Sequence, residues 1–316
     1  MNMLDTLKGS YFSEVLPEGW DIEKIHKCVT NDPASVEERQ SFWNKDFAPV
    51  KCTNLEEFGV YMGHEIAMQI KLTKEEGRKL ILILPVGPMG MYKWAVYFLK
   101  AWNVDCKHVY GFNMDEWSDA EGNTLPASDP AAFQNAMLGA FYNPLGELTV
   151  PPEQRNFATR ENLPTYPEKI KALKAEGAKQ VLVYGIGRMC HIAFWEPHFA
   201  GDYKSDDEWK AAPYRVGARL HPFTIEQNAI TSFRSSWPLI PCYANTIGPW
   251  IIFNSDYAIG GADGVLSRGM QWQGMSFWMT LRYGPCRYVT SSNIPTMPGK
   301  LFYMEELAGP LCADTN

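Results

Sequence analysis

The chain has 316 residues, 46% of them hydrophobic and 21% charged, with 29 basic against 36 acidic side chains and a net charge of −7. That composition suits a globular protein with a sizeable core. No Lys/Arg run reaches four, so the basic footprint of a nucleic-acid binder is missing. The longest apolar run, Leu80–Pro85, is far short of a bilayer span, and an acidic surface repels anionic membranes.

Asp5, Lys8 and Glu14 interrupt the first twenty residues, which leaves no apolar core for a signal peptide. Cys28, Cys52, Cys106, Cys190, Cys242, Cys286 and Cys312 form no C-x-x-C pair, so neither a zinc site nor a disulfide framework is expected. An odd, dispersed set fits a reducing cytoplasm. The six histidines include no H-x-x-x-H pair, and no metal is expected.

Residues 1–54 show no clean period and read as an N-terminal helical extension packed on the main domain. Within it, Asp21–Cys28 and Ser35–Trp43 are candidate short helices, separated by Asn31-Asp32-Pro33. From residue 55 to 316 the pattern is that of one compact α/β domain. Asn54 can cap a helix in which Phe58, Met62, Ile66 and Ile70 recur at helical spacing. Lys79–Leu84 is a continuous apolar run of the kind found in sheets covered on both faces. It ends in the loop Pro85–Gly90, and Met91–Trp102 returns as a helix. Lys107–Phe112 is a second strand, Pro130–Tyr142 a helix, Tyr166–Glu176 another, and Lys179–Tyr184 a third strand. Strand, loop and helix in repetition predict a Rossmann-like, mostly parallel sheet with helices on both faces. Ala258–Gly261 closes a further strand, and Arg287–Thr290 reads as a late one. The amphipathic, Trp/Met-rich Gly269–Arg282 suits either core or interface, which leaves a homo-oligomer open.

In open parallel sheets ligands bind beyond the carboxyl ends of the strands. Three such ends carry unusual loops: Pro85–Gly90, Asn113–Trp117 and Gly185–Glu196. In the second, Asp115 and Glu116 are adjacent carboxylates whose repulsion favours a proton acceptor; the plainer reading has Asp115 capping a turn and Glu116 in water. In the third, Gly185 and Gly187 allow close backbone approach to a ligand. His191 can move a proton near neutral pH, with Glu196 to orient it, although a histidine among apolar residues is more often a satisfied core group. No third glycine follows Gly187 where a dinucleotide fingerprint needs one, which argues against a nicotinamide cofactor. A G-x-S-x-G nucleophile elbow is absent.

Phe112-Asn-Met-Asp-Glu-Trp117 and His191-Ile-Ala-Phe-Trp-Glu-Pro197 resemble the Phe-Asn-Met-Asp-Glu-Tyr and His-Ile-Ala-Phe-Asn-Glu-Pro motifs of the glucosamine-6-phosphate deaminase/isomerase family. Leu84–Lys93 resembles that family's early phosphate loop, and Pro241–Gly248 a later Pro-Lys-Tyr-Ala-Leu-Thr-Val-Gly stretch. The resemblance implies sugar ring opening, C2 proton transfer and amine loss without an external cofactor. It makes Asp115 the base at C2, Glu116 its neighbour, His191 the ring-opening acid/base and Glu196 its carboxylate partner. It places Gly87, Gly90 and Gly187 around the substrate.

The chain also departs from the family. Where the family has Gly-x-Gly-x-Asp-Gly-His, Met189 and Cys190 replace the acid and the glycine. Loss of an orienting carboxylate costs about 10⁴ in rate in serine proteases. Val86 and Pro88 lack the hydroxyl and N–H that hold an anion. Arg219 is the one certain cation left of an Arg-Ile-Lys pair, and Asp263 stands near a later lysine. Arg188 is new, and is either a contact for a carboxylate or ring hydroxyl or a surface residue. The expectation is therefore an enzyme that isomerises, with or without deamination, an amino sugar or related sugar lacking a phosphate. The alternatives are a sugar lactonase of the 6-phosphogluconolactonase type and a catalytically impaired sugar-binding paralogue. The related lactonases carry Ala-Ser-Leu-Phe-Pro where this chain has Ala193–Pro197.

Overall fold

The computed structural model describes residues 3–30, 32–266, 270–309 and 311. Its centre is a seven-stranded sheet of β1 (Phe47–Cys52), β2 (Leu80–Leu84), β3 (Val109–Asn113), β5 (Arg155–Asn156), β6 (Lys179–Gly185), β9 (Tyr257–Ala262) and β10 (Gly299–Met304). The order is β1-β10-β9-β6-β2-β3-β5, and every neighbouring pair is parallel. All five residues of β2 are buried, so the run of Leu and Ile needs cover on both faces. This is the α/β, Rossmann-like sheet the sequence predicts. A smaller antiparallel sheet holds β4 (Asp115–Ser118), β8 (Tyr243–Ile247) and β7 (Tyr214–Arg219), in the order β4-β8-β7.

The helix Leu55–Glu75 starts where Asn54 accepts the N–H of Glu57 at 2.9 Å. Phe58, Met62, Ile66 and Ile70 form its buried stripe. It crosses the helix Gly90–Ala101 at Gly59 and Gly63. A Cβ at Gly63 would stand 2.5 Å from the Met91 carbonyl oxygen and 2.8 Å from the Ala95 nitrogen, so only glycine lets the two backbones approach this closely.

Four expected segments differ. Phe47–Cys52, assigned to the N-terminal extension, is an integral edge strand of the main sheet. The rest of that extension does pack on the domain: Ile25 and Cys28, in the helix Ile22–Val29, are buried against Cys190, Met279, Tyr283 and Val289. In place of a helix over Ser35–Trp43 there is a 3₁₀ turn at Pro33–Glu37. Arg287–Thr290 is not a strand. It makes one isolated bridge, Cys286 to Val289, because Ser292 accepts the Cys286 N–H and donates to the Val289 carbonyl, a local alternative to a ladder. The expected Pro130–Tyr142 helix splits into an α segment, Phe133–Met137, and a π turn, Leu138–Tyr142. Gly269–Arg282 is helical from Gly274, while Gly269 and Cys312 lie outside the described residues. No helix of the described residues is long and apolar enough to cross a membrane.

If the glycine contact fixes the helix crossing, Gly63→Val should lower unfolding stability by about 2 kcal/mol through overpacking. Urea denaturation measures this, and an unchanged midpoint at unchanged slope would show that the crossing has slack.

Candidate active site

The loop after β2 folds across the ends of β6 and β9. A Cβ at Gly185 would lie 3.0 Å from the Gly87 carbonyl oxygen, and one at Gly261 would lie 2.6 Å from Pro88 Cγ. Beside this contact opens a cavity of about 440 Å³. Its walls come from the β2 loop (Pro85–Met89), the β3–β4 junction (Met114, Asp115), the β6 loop (Gly185–Gly187, His191), the helix Pro222–Ser232 (Gln227, Asn228, Thr231) and the segment after β9 (Asp263–Leu266). The three strand ends singled out in the sequence thus meet in one place.

Asp115 begins β4, where the chain leaves the parallel sheet and pairs with Thr246 of β8. Its side chain faces the cavity. Burial first, and then the charge of Glu116, holds its carboxyl well above the usual aspartate range. Glu116 faces the other way. It accepts N–H bonds from Trp117, Phe133 and Gln134 at 2.8–2.9 Å, which fixes the start of the Phe133 helix and so positions the Phe133 ring at the cavity wall. Burial raises Glu116 as well, against the opposing pull of those three donors.

His191 closes a tight turn in which Gly187 donates to its carbonyl at 3.0 Å. Cys190 and Ala193 on either side adopt positive φ of 57° and 54°, each a conformation costing about 1–3 kcal/mol outside glycine. The surroundings enforce it: Ser291 donates to the Cys190 carbonyl at 2.8 Å, and Phe194 donates to Thr246 Oγ1 at 3.0 Å. The imidazole lies flat over Gly187, where a Cβ would come within 1.9 Å of Nε2. Its Nδ1 is 3.2 Å from Thr224 Oγ1 and 3.4 Å from Glu196 Oε2.

Glu196 has no solvent exposure. Burial alone would push its carboxyl up. The His191 charge and the donors at His191, Thr224 and the His221 N–H outweigh burial and hold it below the usual range. His221 N–H lies 3.1 Å from Oε1.

The remaining expected residues divide. Gly87 and Gly187 line the cavity, whereas Gly90, Glu116, Glu196, Arg188 and Arg219 do not. Gly90 starts the following helix. Arg188 pairs with Glu226, and its backbone N–H donates to Gln227 Oε1 at 2.7 Å. Arg219 is exposed at the end of β7. Met189 is buried at 1% exposure, with no role at the wall. Among the described residues no Lys or Arg lines the cavity; residues 267–269, which include Arg268, lie outside them. No three His, Cys, Asp or Glu among the described residues cluster as a metal site. The polar wall of Gln227, Asn228 and Thr231 went unread in the sequence, as did Thr224. Their only signal is a helical period on a polar face, which solvated helices share.

Solved sugar-phosphate deaminases and lactonases share this parallel-sheet fold. No family model matches the chain. The glucosamine-6-phosphate deaminases of Yersinia pestis (strain Pestoides F) and Yersinia pseudotuberculosis serotype O:3 are each 28% identical over 214 residues, covering 64% of this chain and 71% of the relative. A monomeric glucosamine-6-phosphate deaminase described as the missing link of the NagB superfamily superposes with TM-score 0.65 at 18% identity, over 82% of this chain and 98% of its own. The 6-phosphogluconolactonase of Trypanosoma cruzi gives 0.59 at 15%, over 87% and 99%. The chain is thus similar in sequence to glucosamine-6-phosphate deaminases and shares its fold with a solved deaminase and with solved 6-phosphogluconolactonases.

Asp115 takes up a proton on folding at any pH between the usual aspartate range near 3.8 and its raised value. A raised folded pKa means that stability is fully present below about 3.8 and falls as pH rises through that window. Asn at 115 has no such loss. The Tm of Asp115→Asn minus that of the wild type should therefore grow with pH from about 4 upward. A difference independent of pH would place the carboxyl in water.

Proposed function

We propose that the chain is a sugar isomerase/deaminase acting on an amino sugar or closely related sugar without a phosphate group. The observation that carries this reading is the convergence of Asp115 and His191 on a single cavity. His191, held at Nδ1 by Glu196 and Thr224, presents Nε2 to move a proton from the C1 hydroxyl to the ring oxygen, which opens the ring. Asp115, once ionised, takes the C2 proton and returns it to C1. On a 2-amino sugar this leaves an imine at C2, which water hydrolyses to the ketose and ammonia. A carboxylate and a histidine suffice for such enediol chemistry. The absence of Lys and Arg from the described wall supports a substrate with no dianion. The relatives are, by name, glucosamine-6-phosphate deaminases or 6-phosphogluconolactonases.

Met189, where the family pattern has an acid, favours a second reading, sugar binding without turnover. Proton NMR in D₂O separates the two. Deuterium entry at C2 with ammonia release supports the enzyme, and binding without exchange supports the sensor. Under the enzymatic reading, Asp115→Asn abolishes C2 exchange while the fold survives. Glu196→Gln lowers kcat about 10²–10⁴-fold by freeing the imidazole. The acid limb of kcat/KM rises with pH through a pKa above the usual aspartate range, because only the ionised carboxylate accepts the proton. Full exchange in Asp115→Asn would remove this residue from the mechanism.

A further inference from the structure

The end of the cavity farthest along the sheet order from β3 is built by β9 and the β2 loop. Gly261, the fifth residue of β9, packs on Pro88. Two residues later Asp263 lines the cavity, followed by Gly264, Val265 and Leu266. The opposing β2 loop contributes Val86, Pro88 and Met89, with Leu55 beside them. Asp263 is thus the one charged group of the described wall at this apolar end.

Its backbone is locked. Gln273 Oε1 accepts the Gly264 N–H at 2.8 Å, and Gln273 Nε2 donates to the Ile186 carbonyl at 2.5 Å. One buried glutamine therefore ties the segment after β9 to the loop after β6, so the backbone beside Asp263 is held against the loop that leads to His191. A Cβ at Gly264 would lie 2.5 Å from Gln273 Cβ, which leaves the segment little freedom to retract. Burial raises the Asp263 carboxyl to about 6. An acid on a tied backbone in an apolar setting, without a neighbouring cation in the described wall, is matched by a donor on the ligand.

We propose that Asp263 is the specificity residue of this cavity, accepting a hydrogen bond from a hydroxyl or ammonium group of an unphosphorylated sugar and excluding an anionic substituent. The inference rests on the sugar-binding reading above. It adds which side chain selects the substrate class, and by what sign of charge. An anion placed here would meet a like charge in a medium of low dielectric, and the described wall offers no cation to offset it.

Calorimetric titration and C2 deuterium exchange with two matched sets, free 2-amino-2-deoxyhexoses and their 6-phosphates, test it on wild type, Asp263→Asn and Asp263→Lys. Near-isosteric Asp263→Asn keeps the fold testable if the lysine variant misfolds. The wild type should prefer the free sugars. Asp263→Asn should weaken them about tenfold, the loss of one charge-assisted bond. It should also narrow the preference over the phosphates, and Asp263→Lys should reverse that preference. A wild type that handles free sugars but whose ratio moves less than twofold in both variants overturns the role of Asp263 and leaves the proposed function standing. A wild type that prefers the phosphates overturns the inference and the phosphate-free substrate together. A wild type that neither binds nor exchanges any sugar of either set overturns the sugar reading and this inference with it.

Discussion

A carboxylate with no access to water must be held by its neighbours, and Glu196 is in that position. Its two oxygens face His191 Nδ1 at 3.4 Å and the His221 N–H at 3.1 Å. Burying a charge without such partners costs several kcal/mol, so the Glu196 side chain and the His191 ring fix one another. With Nδ1 engaged by Glu196 and Thr224, the other nitrogen is left over Gly187, in the only space where a side chain is missing. The orientation of the ring follows from these contacts. The acid two residues before the histidine, replaced here by Met189, is therefore not the sole group able to orient it. The replacement has been absorbed into a buried apolar position.

Adjacent carboxylates at 115 and 116 illustrate what sequence can and cannot decide. Read as a pair, they promise mutual repulsion and one raised acid. In a strand, however, successive side chains point to opposite faces. β4 sends Asp115 into the cavity and Glu116 toward three backbone donors. The raised acid is the one that faces the cavity, and burial contributes more to it than the neighbour does. Glu116 acts one step removed, by holding the helix that carries Phe133.

The legible parts of the fold were those with one dominant cause. β2 is buried on both sides and its unbroken apolar run records it, while β3 and β6 carry shorter apolar stretches. The Leu55–Glu75 helix shows its buried stripe and its cap. β1 escaped because it is an edge strand that tolerates Pro49 and Lys51, so its pairing with β10 leaves little periodic trace. β7 and β8 pair across a bulge between Arg215 and Ala218 that interrupts the alternation. At the site, the loops carried by β2, β3 and β6 were visible as punctuation after strands. The helix Pro222–Ser232 was not, since Gln, Asn and Thr on one face look the same toward a cavity as toward water. Neither Arg188 nor Arg219 lines the cavity, for one is held by Glu226 and the other stands exposed at a strand end.

The electrostatic balance of the cavity decides between ligand classes more firmly than its shape. Transfer of an ion from water into a protein interior carries an effective penalty of several kcal/mol unless charges and donors replace its hydration. A phosphate dianion doubles the charge to be replaced. The described wall offers it Val86, Pro88 and Met89 in the loop after β2, where Pro88 has no N–H to give, and an acid at 263. A sugar hydroxyl or ammonium finds acceptors in the same place, including the Asp263 carboxyl and the side chains of Gln227 and Asn228. On the proposed reading the sheet and the Asp115–His191 pair are kept while the class of ligand changes, because Asp115 sits on β4 and His191 in the β6 loop while Asp263 sits beyond β9. The Gln273 bridge joins the segment after β9 to the β6 loop and, being uncharged, adds no charge to either.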